Sequence, residues 1–165
     1  MLFRSTNSND VVPGYYQTGL YQARPSVQTI SNAMDVGNPS NFVRMLDLFK
    51  ESHPEFCKNI YACSFTDDQT RLAIEQVLEK YDYLTDPHGA VAWLGAQDYL
   101  KKVNPKANLV FLETAHPAKF PETLDIFMKK YGTLPEQLLK ISEKDEKFVS
   151  LPNNYSKVKE ILQAI

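Results

Sequence analysis

The chain has 165 residues, 43% of them hydrophobic and 23% charged, and its 18 Lys and Arg against 20 Asp and Glu give a net charge of −2. This balance, without a basic stripe, gives no reason to expect nucleic acid or an anionic membrane as a partner. No signal-peptide core or run of transmembrane length is found, and Cys57 and Cys63 are too few for a disulfide framework. We expect a cytoplasmic protein with reduced thiols.

Residues 1 to 32 carry turn signals but no sustained helical or alternating period. About thirty residues without clear secondary structure inside a compact domain indicate a functional loop or missing context. We therefore predict an irregular segment here.

The first helix signal follows Asn38, which can cap a helix, and Pro39, which suits the first helical position. Apolar residues then recur at helical spacing and predict a helix over 39–51. His53, which precedes Pro54, is expected at the exit of this helix in a structural or exposed role.

The middle of the chain alternates strand and helix signals. Residues 60–65 are apolar and short enough for a strand, and Thr66 with Gln69 forms a possible capping box for a helix through Tyr81. Asp86 and Pro87 then offer a cap and a first-turn proline for a helix ending near residue 103.

The run Leu109–Leu112 lacks alternation, which predicts a strand buried on both faces of a parallel sheet. Helical patterns recur at 121–131, 135–141 and 154–164, with a short strand predicted at 147–151. This order predicts an α/β fold with a mainly parallel sheet flanked by helices, and residues 1–165 as a single α/β region.

The segment Thr114–Phe120 follows the predicted buried strand, where open α/β sheets place their ligands. The Thr114 hydroxyl can bond a ring nitrogen, His116 can transfer a proton or bond a phosphate, and Lys119 can pair with an anion. The alternative is that Thr114 and His116 fix a tight turn while Lys119 is solvated.

Two predicted helix starts offer further candidates. At the first, Asn38 and Ser40 can present polar groups to a phosphate beside free backbone N–H groups, although a capped helix explains them equally well. At the second, Asp86 as a cap needs no ligand, whereas the field of the first turn favours a neutral imidazole at His88. No metal cluster, glycine-rich phosphate loop or catalytic-serine pattern is present in the sequence.

Four segments in this order resemble threonine synthase: Asn9–Pro13, Arg24–Phe42, Asp86–Val91 and Thr114–Phe120. The resemblance implies a fold type II pyridoxal-phosphate enzyme, a lyase that converts O-phospho-L-homoserine and water to L-threonine and phosphate. In that family the Schiff-base lysine and the cofactor-phosphate loop lie upstream of the matched segments. The chain is therefore expected to be the carboxyl-terminal part of a longer enzyme, to contain none of its catalytic residues, and to be inactive alone.

The resemblance also implies roles for single residues. Thr114 corresponds to the group that bonds the pyridine nitrogen of pyridoxal 5'-phosphate. His116, Lys119, Asp86 and His88 would surround the pyridine side or the substrate phosphate. One departure is Ala92, where the family pattern leads us to expect glycine.

Two other functions remain open at this point. The first is a non-catalytic α/β module that binds a phosphorylated metabolite at helix N-termini, and the second is a threonine or serine dehydratase, which the string Arg24–Phe42 argues against. If the amino-terminal part of the enzyme is missing, exposed sheet edges would favour homo-oligomers or aggregation.

Overall fold

A computed structural model describes residues 2–164. The chain divides into two compact units, one that ends at Gly132 and one that begins at Thr133. Each unit is described separately below.

The first unit contains a two-stranded parallel sheet. Strand β1 (Leu2–Thr6) pairs with β2 (Ile60–Ser64) in a register that places Leu2 opposite Ile60 and Thr6 opposite Ser64. The strand predicted at residues 60–65 is confirmed. The predicted α/β class with a parallel sheet is also confirmed, although the sheet is small.

The prediction that residues 1–32 lack regular structure is wrong, because β1 is followed by helix α1 (Val11–Thr18). Pro13 lies in the first turn of α1, where a missing N–H breaks no intrahelical hydrogen bond. The helix ends at Gly19, whose φ of 72° gives the left-handed conformation that a C-terminal cap requires. Proline and glycine, taken as turn signals, here lie inside or directly after a short helix.

The core of the first unit lies where α1, the helices before β2, and the sheet meet. Its buried apolar residues form one cluster: Val12, Tyr15, Phe42, Phe56, Ile60 and Ala62. The Tyr15 ring packs edge-on against Phe42 and Phe56, with ring centroids 5.0 and 5.1 Å apart. Edge-on aromatic packing of this kind stabilises the cluster beyond simple burial.

The helix predicted at 39–51 is shorter than expected and is followed by another. Helix α2 spans Phe42–Leu48, the chain then turns at Lys50 and Glu51 with φ of 51° and 55°, and α3 spans His53–Asn59. His53 therefore lies at the start of a helix, and its Nε2 is 3.0 Å from the carbonyl oxygen of Tyr16. Two left-handed residues in succession divide what the periodicity presents as one helix.

The longest helices have the predicted bounds. Helix α4 (Asp67–Tyr81) begins with the capping box of Thr66 and Gln69, and α5 (Pro87–Lys102) packs on α4 and on both strands. After α5, residues Pro117–Lys119 form a 3-10 turn that leads into α6 (Pro121–Tyr131), the helix predicted there.

The strand predicted at Leu109–Leu112 is wrong, because within residues 2–164 this extended segment has no sheet partner. The Val110 and Leu112 side chains are 87% and 78% exposed, the reverse of the expected burial. An apolar run becomes a strand only when another strand supplies hydrogen bonds.

The second unit contains α7 (Glu136–Ser142) and α8 (Tyr155–Ala164), both predicted from the sequence. The short strand predicted at 147–151 is wrong, because these residues have no regular structure. None of the described residues of this unit is buried, so its apolar side chains have little core of their own.

Candidate functional site

The start of α5 is built on a buried carboxylate. Asp86 is 1% exposed and caps the helix, its Oδ1 accepting hydrogen bonds from the backbone N–H of His88 at 2.7 Å and of Gly89 at 3.3 Å. Pro87 occupies the first turn, as predicted. Because the carboxylate already bonds these donors and is negatively charged, this helix start is unfavourable for an anion.

His88 connects this helix start to a distant loop. Its Nδ1 lies 2.9 Å from Oδ1 of Asp86, and its Nε2 accepts a hydrogen bond from the backbone N–H of Ala33 at 3.2 Å. Nε2 can accept only when it carries no proton, so Nδ1 donates to Asp86. The imidazole is therefore neutral, with a single defined tautomer.

The segment after residue 113 reaches the same place. The ring of Phe120 lies against His88 with centroids 5.1 Å apart. His88 thus contacts one residue from each of two other segments of the family resemblance, Ala33 from Arg24–Phe42 and Phe120 from Thr114–Phe120. We call this meeting of Ala33, Asp86, His88 and Phe120 the His88 junction.

Glu113 supports the junction, and sequence reasoning missed it. Its carboxylate accepts hydrogen bonds from the Asp86 N–H at 2.7 Å and from the Thr85 hydroxyl at 2.8 Å, where Thr85 and Asp86 are both 1% exposed. A Cβ at Gly89 would overlap the Glu113 carboxylate and the Thr85 hydroxyl. Glycine is therefore required at position 89 for this close approach.

The pKa values of the two neighbouring carboxyl groups are shifted in opposite directions. Burial tends to raise the pKa of Asp86, but hydrogen bonds from the side chain and backbone of His88 and from Glu113 outweigh it, so the Asp86 pKa is lowered. Burial and the adjacent Asp86 carboxylate raise the pKa of Glu113, against hydrogen bonds from the Asp86 N–H and from Thr85. Asp86 is therefore the member of the pair that holds the negative charge.

Apart from the Phe120 ring, the Thr114–Phe120 segment does not join the junction: none of the hydrogen bonds in the described part of the chain links its polar side chains to Ala33, Asp86 or His88. Thr114 is exposed, and none of the hydrogen bonds found among residues 2–164 uses its hydroxyl. His116 accepts a hydrogen bond from the Ala118 N–H at 3.2 Å and packs against Phe127, with ring centroids 5.0 Å apart. Lys119 is exposed. The free polar groups of this segment are thus Thr114 and Lys119.

The predicted site at Asn38 and Ser40 is not at a helix start. Helix α2 begins at Phe42, and both residues lie in the preceding turn, exposed to solvent. The Asn38 amide oxygen accepts a hydrogen bond from the hydroxyl of Tyr21 at 2.9 Å. The expected cap of α2 by Asn38 is therefore wrong.

A second polar cluster, also missed, fixes the loop that carries Ala33. Asn7 and Asn9 follow β1, are 1% and 4% exposed, and bond Oδ1 of Asp35 through their side-chain amides at 2.8 and 3.2 Å. The Asp35 carboxylate also accepts from the Thr29 hydroxyl at 2.7 Å. Two asparagines directly after a strand were the signal that could have revealed this cluster, because polar groups at that end often face a ligand or its loops.

Other kinds of site are not supported. Among residues 2–164, no group of three or more His, Cys, Asp or Glu side chains is arranged to hold a metal ion. Within the same range, no helix combines the length and apolar character needed to cross a membrane. Cys57 and Cys63 are free thiols.

Comparison with known proteins gives consistent matches. A family model described as "Threonine synthase, C-terminal" matches residues 89–162. The chain is 32% identical to threonine synthase from Escherichia coli over 96% of this chain and 36% of that enzyme. It is 37% identical to threonine synthase from Haemophilus influenzae over 81% of this chain and 30% of that enzyme.

A solved structure gives the same result. The crystal structure of threonine synthase from Brucella melitensis, described as bound to pyridoxal phosphate, is similar with a TM-score of 0.70 at 30% identity. The match covers 99% of this chain and 40% of that one. The chain thus spans between 30% and 40% of the length of these three relatives.

Proposed function

The chain belongs to the threonine synthase family, of which it represents the carboxyl-terminal portion, and from this premise we propose that it supplies that portion of a working enzyme. The enzyme would be a lyase that converts O-phospho-L-homoserine and water to L-threonine and phosphate. The observation that best supports this role is the His88 junction, which joins three segments of the family resemblance around one histidine.

Pyridoxal 5'-phosphate is the proposed cofactor, and Thr114 is the residue of this chain that suits it. A hydroxyl can either donate to or accept from a ring nitrogen, and the Thr114 side chain is exposed and uncommitted among the described residues. When bound, the cofactor withdraws electrons from the reacting carbon atoms of the substrate. The contribution of Thr114 is to hold the ring in one orientation.

The remaining candidates are assigned by their exposure and charge. Lys119 and His116 are exposed beside Thr114 and would contact a phosphate-bearing ligand, as would Asn38 and Ser40 in their turn. Asp86 is buried and bonded to His88, so both act as positioning residues for the surrounding loops. The charge that Asp86 retains keeps the proton of His88 on Nδ1.

The alternative of a free-standing module that binds a phosphorylated metabolite at helix starts has weaker support. At α5 the Asp86 carboxylate already bonds the first-turn N–H groups, and at α2 the helix begins after Asn38 and Ser40. Neither start presents a set of free donors to an anion.

The chain alone is proposed to be inactive, because the Schiff-base lysine is expected in the part of the enzyme that precedes the matched portion. This part of the Escherichia coli enzyme is called the complementary portion below. The test co-expresses the chain with the complementary portion and measures release of phosphate and formation of threonine from O-phospho-L-homoserine. Activity is expected only from the combination, and activity of the chain alone would contradict the proposal.

Thr114 is tested in the same assay. Thr114→Ala in the active combination should lower kcat/KM roughly tenfold to a hundredfold, the cost of one hydrogen bond to a charged or ring group. Thr114→Ser keeps the hydroxyl and should retain most of the activity. Equal activity of both variants and the parent chain would remove Thr114 from the cofactor site.

Calorimetry of the chain alone with inorganic phosphate tests the alternative module, which requires a measurable heat of binding.

A further inference from the structure

A groove lies beside the two-stranded sheet. It has a volume of about 510 Å³ and is bounded by Leu2–Ser5 of β1, by Asn108–Phe111 of the extended segment, and by Ala92 and Ala96 of α5. We call it the β1 groove. Two extended stretches of backbone thus line one cavity, together with two of the smallest side chains on α5.

The edge of β1 that does not pair with β2 has backbone groups available for bonding. The Thr6 carbonyl oxygen accepts a hydrogen bond from the Phe65 N–H on the β2 side. Backbone groups of successive residues in a parallel strand alternate between its two edges, so those of Phe3 and Ser5 point to the other edge. Within the described part of the chain β1 has β2 as its sole strand partner.

The extended segment opposite is apolar yet exposed. Leu109–Leu112 has the unbroken apolar pattern of a strand covered on both faces, while Val110 is 87% and Leu112 78% exposed. An exposed apolar segment and an open strand edge are both unfavourable in water, and both border the same groove.

We propose that the β1 groove holds one further β-strand, supplied by the part of a threonine synthase that precedes the matched portion. The inference rests on the proposed function. The three relatives contain 60% or more of their length outside the match, so a donor strand is available in that family. Seated in the groove, an apolar strand would bond Phe3 and Ser5 on one side and Leu109–Leu112 on the other, and its inward side chains would pack on Ala92 and Ala96.

Hydrogen exchange at residue resolution tests the pairing. The full chain is measured alone and in complex with the complementary portion of the Escherichia coli enzyme. In the complex, the amides of Phe3 and Ser5 and those of alternate residues within Leu109–Leu112 should exchange at least about tenfold more slowly. The amide of Arg4, which faces β2, gives an internal reference.

A charge in the groove tests the apolar contact. Val110→Asp should leave the thermal unfolding of the chain alone nearly unchanged, because the side chain is exposed, and should weaken binding of the complementary portion at least about tenfold. Val43→Asp is the matched control, since Val43 is 64% exposed on α2 and outside the groove. Equal binding by the two variants would overturn the proposal.

The readouts separate this inference from the proposed function. If the complex makes threonine while Phe3 and Ser5 exchange as fast as before, the groove assignment is wrong and the function stands. If Phe3 and Ser5 become protected in the chain alone as its concentration rises, and the complementary portion does not compete, a second copy fills the groove and the inference is overturned. Failure of the complementary portion both to bind and to produce threonine would overturn both.

Discussion

Two segments of the chain share the signature of a capping residue followed by proline, yet they fold differently. Asp86–Pro87 begins α5 as predicted, with the carboxylate bonded to two backbone N–H groups. Asn38–Pro39 begins no helix, because α2 starts only at Phe42. The side chain of Asn38 bonds Tyr21 and is exposed.

The difference lies in what surrounds each capping residue. Asp86 is buried, its own N–H is bonded by Glu113, and its second partner is the His88 ring. Asn38 has one exposed hydrogen bond. A local capping signature fixes a helix start when tertiary contacts also satisfy the remaining polar groups of the capping residue. The His88 junction lies at the start where they do so.

The largest predicted effect compares the two capping residues directly. Asp86→Ala removes a helix cap and leaves Nδ1 of the half-buried His88 ring without its partner, so the free energy of unfolding should fall by about 3 kcal/mol. Asn38→Ala removes one exposed hydrogen bond and should cost less than about 0.5 kcal/mol. Urea denaturation of the full chain measures both. Equal losses would show that burial does not set the contribution of these two residues to stability.

A second prediction concerns Gly89, whose missing side chain leaves space for the Glu113 carboxylate. Gly89→Ala should lower the free energy of unfolding by about 2 kcal/mol, because the added methyl group overlaps the Glu113 carboxylate and the Thr85 hydroxyl. Gly14→Ala in α1 is the control: its Cβ would meet no atom within 4 Å, and alanine favours a helix. It should be neutral or stabilising by up to about 1 kcal/mol. A loss at position 14 as large as that at 89 would contradict the packing argument.

The smallest effect is a dependence on pH. The pKa of Glu113 is raised in the folded chain, so ionisation of this carboxyl costs stability as pH rises from the ordinary glutamate range through the folded pKa. Glu113→Gln removes that cost while its amide oxygen can still accept from the Asp86 N–H. The melting temperature of Glu113→Gln relative to the parent chain should therefore increase between pH 4 and pH 7.

Two other effects need separate controls: the Asp86 carboxyl, whose pKa is shifted the other way, and the change in net charge. Asp86 has a lowered pKa and contributes stability that is lost as pH falls, and Glu113 is one cause of that lowering. The comparison is therefore made above the ordinary aspartate pKa, where Asp86 is ionised in both proteins. Glu75→Gln, on the exposed face of α4, makes the same charge change without these partners. A difference between Glu113→Gln and the parent chain that stays constant with pH would refute the assigned direction.

Much of the helical structure could be predicted because its signals are local. The capping box of Thr66 and Gln69 and the proline after Asp86 set the starts of α4 and α5, and the family resemblance is confirmed by the relatives. Strands were predicted less well. Strand β1 was missed because its partner lies 58 residues away, and Leu109–Leu112 has no partner among residues 2–164.

The site was predicted in part for the same reason. Asp86 and His88 were candidates because a capping position marks them, and the structure brings His88 to Ala33 and Phe120. Their role at a ligand site stays a prediction. Glu113 was missed because nothing beside it in the sequence marks it. Its role depends on Thr85, Asp86 and Gly89, which only the fold brings near.

The central claim is that a neutral His88, protonated on Nδ1, joins the candidate segments. The most direct test is the ¹⁵N NMR spectrum of the imidazole nitrogens in the full chain at pH 7, with His88→Gln assigning the signals among the three histidines. The account predicts a protonated Nδ1 and an unprotonated Nε2 at His88. A protonated Nε2, or rapid exchange between the two tautomers, would contradict the hydrogen bond from Ala33 and with it the junction.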